Sequence, residues 1–97
     1  MAFRNLQVLY TPPLAGQPKA VTWLASIEIG DFVSEQKVLL QEDTETAYNA
    51  DARAALAAAS PTDGEAIAAA VLIDIARVEQ ELTAHVEASS RNPFGGS

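Results

Sequence analysis

Cysteine is absent from this chain, which excludes disulfide frameworks, cysteine zinc sites and thiol nucleophiles. No apolar run approaches the roughly 18 to 20 residues that span a bilayer. The opening MAFRNLQVLYTPP has no signal-peptide apolar block. A cytoplasmic protein without membrane attachment is the expectation. Basic residues are also scarce: six Lys and Arg stand against thirteen Asp and Glu, a formal net charge of -7. Residues 1–41 balance three acids with three bases, whereas residues 42–87 hold ten acids against Arg53 and Arg77. Direct binding to nucleic acid or to an anionic membrane needs a basic surface and is therefore not expected.

Catalytic constellations are equally thin. His85 is the one histidine, and no serine is nominated as a nucleophile beside it. With Glu81 one turn before it and Ser89 one turn after, His85 reads as a helix-surface residue suited to a pH-sensitive interface. Glu42, Asp43 and Glu45 offer hard oxygen ligands, yet their spacing misses the calcium-loop pattern. They are read as first-turn acids of a helix. Gly64 and the pair Gly95-Gly96 fit no phosphate-cradling loop. No enzyme, metal or cofactor is expected from these residues.

What the chain does contain is periodicity. Within residues 60–90 the large apolar residues Ile67, Val71, Ile75, Val78, Leu82 and Val86 recur every three or four positions, the one-face spacing of an α-helix. Ser60-Pro61-Thr62-Asp63 supplies a start, with Pro61 at a first helical position and Thr62 to Glu65 as a capping box. Asn92-Pro93 forbids continuation. Residues 66–76 are apolar on every side but one, so that half is expected inside the domain. Residues 77–87 keep only a narrow stripe.

Ahead of this helix, residues 3–11 alternate as a half-buried strand ended by Pro12-Pro13. Residues 19–29 alternate more clearly, with Val21, Trp23, Ala25, Ile27 and Ile29 on one side. Gly30-Asp31 is a two-residue hairpin turn. It sets Ile29 opposite Phe32, Ile27 opposite Ser34, Trp23 opposite Val38 and Val21 opposite Leu40. Residues 44–59 form an alanine-rich helix with a stripe of Tyr48, Ala52, Ala55, Leu56 and Ala59, expected to lean closely on the long helix. The fold class is α+β: a three-stranded, mainly antiparallel sheet followed by two helices (βββαα), the long C-terminal helix lying across the sheet. Residues 1–90 form a single domain and residues 91–97 a flexible tail in which Phe94 is the one anchor.

A helix of 28 residues is about 42 Å long, while strands of nine span roughly 30 Å. The helix is expected to outrun its sheet and to leave Ile75, Val78, Leu82, His85 and Val86 for a second copy, unless the sheet is set diagonally or the helix kinks and keeps the stripe within one chain. This gives a non-enzymatic protein-interaction and self-association module that presents the sheet edge or the helices to another protein, expected as an accessory component of a larger assembly, a viral one included, with a homodimer and a protein partner. A second reading places Glu45, Asp51, Asp74, Glu79, Glu81 and Glu87 on an acidic face that imitates nucleic acid and blocks a basic groove of an enzyme, as an anti-defence protein of phage type does. A third places a small-ligand pocket near Trp23, Tyr48 and Arg53. Asp74, the one charge in the apolar half, is expected to pair with Arg77 or Arg53.

Overall fold

Gly30 carries a positive φ of 59° at the first turn position, while Asp31 does not leave the ordinary region. That is the backbone of a primed hairpin turn with glycine first, whose twist suits the flanking strands. In the computed structural model, which describes residues 2–45 and 49–91, this turn joins β2 (Ala20–Ile29) to β3 (Phe32–Gln41). Their register is the one read from the sequence: Ile29 faces Phe32, Ile27 Ser34, Trp23 Val38 and Val21 Leu40. The remaining elements are β1 (Ala2–Tyr10), α1 (Ala50–Ala58) and α2 (Gly64–Arg91). Tyr48 and the tail with Phe94 lie outside the described residues.

The sheet order is β1-β2-β3, all antiparallel, so the loop after Pro12-Pro13 returns the chain to the adjacent position. Its turn, Leu14 to Gln17, is closed by the Gln17 amide donating to the Leu14 carbonyl at 3.1 Å, with Gly16 at φ 83°. β1 is less regular than its alternation implies. Between Arg4 and Gln7 the register slips, so that Asn5 and Leu6 together oppose Ala25. Asn5 takes up the bulge at φ 52°, a left-handed conformation that asparagine tolerates better than most residues. The slip brings Phe3 opposite Ile27, out of phase with Val8 opposite Trp23 in a plain alternation.

Both helices lie on one face, α2 chiefly over β2 and α1 beside it over β3. Val21, Trp23, Ala25 and Ile27 point into the layer between, with Leu40, Leu56, Ile67, Val71 and Ile75. Small residues line the helix-helix seam: Ala52, Ala59 and Ala70 are buried.

Two local expectations change. α1 starts at Ala50 and not at Thr44. The Glu42 amide continues the sheet ladder by donating to the Lys19 carbonyl at 3.0 Å, and Glu42 and Asp43 belong to the turn that follows. Pro61 is not a first helical residue either, because the Asp63 amide donates to the Ser60 carbonyl at 2.9 Å and makes residues 60–63 a β-turn with proline second. Asp63 is the cap: its Oδ1 accepts from the Ala66 amide at 3.2 Å. The residue three beyond the cap is Ala66, so the second arm of a capping box is missing.

The expected overhang of α2 is shorter than element lengths imply. Ile75 is fully buried and Val78 is 7% exposed, both within the core of this chain. Leu82 is half-buried and packs against that core. Val86 is half-buried and lines a groove with Phe32 and His85, at the hairpin tip. The helix runs along the hairpin, so the tip supports the segment that was expected to stand free.

Candidate interaction surface

Three strands with helices on one side leave the other side of the sheet uncovered among the described residues. Reading across the register, that side carries the rows Leu9-Thr22-Leu39 and Gln7-Leu24-Lys37, with Ser26 beside Glu35 and Glu28 beside Val33. Leu9 is 59% exposed, Leu39 55% and Val33 50%. Leu14, in the loop at the same end as Leu9 and Leu39, is also exposed. A solvated sheet face is ordinarily polar, and here large aliphatic side chains alternate with a Glu35 and Lys37 pair of opposite sign. The helix-facing side of β1 is only partly sheltered as well, since Leu6 and Val8 remain exposed.

Two polar contacts fix the helices over this sheet, and neither was visible as a spacing. The Trp23 indole Nε1–H donates to Asp74 Oδ2 at 2.5 Å, both residues having no exposed surface. Burial pushes the Asp74 carboxyl above its ordinary pKa, and the indole bond opposes this. Asp74 therefore pairs with neither Arg77 nor Arg53. Arg77 instead donates to Asp51 at 2.6 Å across the α1-α2 seam. The Oδ1 of Asp74, the Arg53 Nε, the Asn49 Oδ1 and the Tyr10 hydroxyl are buried with no protein partner.

The second contact is Lys19. Its ammonium donates to the carbonyls of Leu56 at 3.2 Å, Ala57 at 2.7 Å and Ala59 at 2.6 Å. It also lies 3.6 Å from the Glu42 carboxylate. α1 has no basic residue in its own last turn, so a lysine nearly forty positions earlier complements the carbonyls of its C-terminal end and its dipole. Lys19→Met, which keeps the aliphatic stem, is expected to lower stability by about 1–2 kcal/mol. Urea unfolding of the two chains checks this, and equal midpoints would show the cap to be without consequence.

The acids proposed as a phosphate-like face are not brought together. Asp74 is buried, which removes it from any such surface. Asp51 is engaged by Arg77. Glu79 is half-buried, and its carboxyl is pushed up by that burial. Glu45, Glu81 and Glu87 are exposed, but two helical positions turn the chain through about 200°, so Glu79 and Glu81 point to different sides. Of the residues expected near a ligand pocket, Trp23 is enclosed by packed neighbours and Tyr48 lies outside the described residues. His85 is exposed beside the groove at Phe32. Among the described residues no group of three His, Asp or Glu converges on a possible metal position, and no helix is long and apolar enough to cross a membrane.

Sequence reasoning offered the sheet edge or the helices to a protein partner but did not single out the open sheet face, since alternation alone does not say which face the helices cover. The one signal available was the alternate set Val33, Glu35, Lys37 and Leu39, whose outer two members are too apolar for a solvated face. Comparison of the chain with family models, with curated proteins and with solved structures gave no match, so its function rests on its own geometry.

Proposed function

We propose that this chain is a non-enzymatic self-association and protein-interaction module whose docking surface is the sheet and not the helical stripe. The observation that carries this reading is the surplus of surface. The chain exposes 6174 Å², against about 5,300 Å² expected of a monomer of its mass. Its radius of gyration is 15.4 Å with extents of 53 × 26 × 15 Å, where a compact domain of this length has about 12.5 Å. Two thin layers leave that surplus open. At about 900 Å², it is close to what one partner contributes to an interface of ordinary size.

The chemistry of the open face supports the same reading. Leu9, Leu39 and Val33 sit in water at a cost that a covering surface would remove. Along the helical stripe, Ile75 and Val78 are buried in the chain's own core and Leu82 packs against it. Sedimentation equilibrium across the micromolar range tests the proposal. The expected result is a mass that rises towards twice that of the chain, and a single-chain mass at every concentration would remove it.

A further inference from the structure

The sheet has two free edges, and they are built differently. β1 is broken by its bulge at Asn5 and Leu6 and is followed at once by Pro12-Pro13. Bulges and prolines are standard means of spoiling an edge for pairing. β3 has none of these. Its ten residues keep an unbroken register with β2 from Phe32 to Gln41, without glycine, proline or irregularity.

The hairpin turn also decides which backbone groups of β3 are free. A two-residue turn makes Ile29 and Phe32 the closing hydrogen-bonded pair. Alternate residues from Phe32 onward therefore spend their amides and carbonyls on β2. Val33, Glu35, Lys37 and Leu39 turn theirs outward, and among the described residues no other backbone hydrogen bond reaches them. The same four side chains lie on the uncovered face and are exposed. Their order is apolar, acid, base, apolar.

That order is self-complementary when reversed. We propose that two copies of the chain join β3 to β3, antiparallel about a twofold axis at Gln36, into one six-stranded sheet. This rests on the self-association reading above and narrows it to the β3 edge: Val33 and Leu39 of the open face then meet across the axis, while Leu9, two strands away on β1, stays on that face outside the contact. Glu35 then faces the partner's Lys37, Lys37 faces the partner's Glu35, and Val33 and Leu39 face one another across the same axis. Each is an outward-directed position, so these are the hydrogen-bonded pairs of the new ladder. A shift of one residue would set outward groups against inward ones. A shift of two in the sum of paired numbers would bring Glu35 against itself or Lys37 against itself. Opposite charges directly across a ladder stabilise it and like charges destabilise it, so one register is favoured. The edges left after pairing are the two bulged β1 strands, which ends growth at a dimer.

The test uses charge exchange on the full chain. Glu35→Lys and Lys37→Glu each place like charges opposite one another twice, because the twofold repeats every contact. Each is expected to weaken dimerisation by about ten-fold or more. The double variant E35K/K37E restores opposite pairing and dimerises like the parent. Mixing the two single variants also restores it, since every pair in the mixed dimer is then complementary. Unchanged thermal midpoints of the monomers exclude misfolding as the cause. A second measurement exploits the absence of cysteine: Gln36→Cys should oxidise to a covalent dimer, its position being a close, non-hydrogen-bonded pair across the axis, whereas Asp31→Cys should not. A parent that dimerises but ignores the single charge reversals and does not cross-link at residue 36 overturns this register while leaving self-association intact. A parent that is monomeric throughout overturns both.

Discussion

Replacing Trp23 by phenylalanine is expected to lower stability by about 2–4 kcal/mol, most of it from one hydrogen bond. Among the described residues the indole nitrogen is the single partner that Asp74 has, its Oδ1 being unmatched, and neither residue has exposed surface. Phenylalanine fills most of the volume and removes the donor, so the buried carboxyl is left with nothing. Urea unfolding measures the loss. A drop below about 1 kcal/mol would mean that the carboxyl finds water or another donor. Asp74→Asn supplies the control, because the amide oxygen still accepts from the indole without the cost of burying a charge. In that background the Trp23→Phe loss should shrink. The pH dependence follows from the same pair. Burial raises the Asp74 pKa in the folded chain, so between the unfolded and folded values the native state holds a proton that the unfolded state has released. Stability therefore falls as pH rises through that window and stays low above it. Asp74→Asn should abolish this part of the slope, and an identical slope in both chains would place its origin elsewhere.

The parts of this fold that were legible in the sequence are those governed by neighbours along the chain. Gly30-Asp31 between two alternating runs set the β2-β3 register, because a two-residue loop leaves one pairing that keeps both apolar sets on a face. The α2 periodicity was equally plain, since six large residues repeat on one side of a helix. Contacts between distant segments were not legible. Asp74 offered Arg77 at helical spacing, and nothing in the spacing shows that Trp23, 51 residues earlier, arrives with its N–H aimed at the carboxylate. Lys19 reads as an ordinary charge at a strand start until α1 is seen to end beneath it. The β1 bulge hides in a run that alternates well enough from Leu6 to Tyr10. Element lengths misled on the overhang because they ignore direction: α2 follows the hairpin to its tip, where Phe32 and Val86 line one groove. The β3 pattern of Val33, Glu35, Lys37 and Leu39 was present in the letters throughout. It acquires meaning only once β3 is known to be an edge and its outer face to be bare.

Leu56→Ala should produce the other large effect, about 2–5 kcal/mol measured as loss of α1 docking. α1 spans nine residues, ADARAALAA, in which Leu56 is the one large apolar side chain. Ala52 and Ala59 are buried beside it but remove little area from water each, and an isolated helix this short is marginal. Without Leu56 the segment would be held by the Lys19 contacts to its last carbonyls and by the exposed Arg77-Asp51 pair. A solvent-exposed ion pair stabilises by well under about 1 kcal/mol. The hairpin and α2 depend on Leu56 less, since Trp23, Ile27, Val71 and Ile75 pack among themselves. The substitution should therefore free α1 before it unfolds the remainder. Native-state hydrogen exchange separates the two outcomes: the amides of α1 should lose protection by two orders of magnitude or more while those of β2 and the middle of α2 change far less. Equal loss across all three elements would show that α1 belongs to the same cooperative unit as the sheet, and that its alanine seam binds more tightly than its small contact area implies.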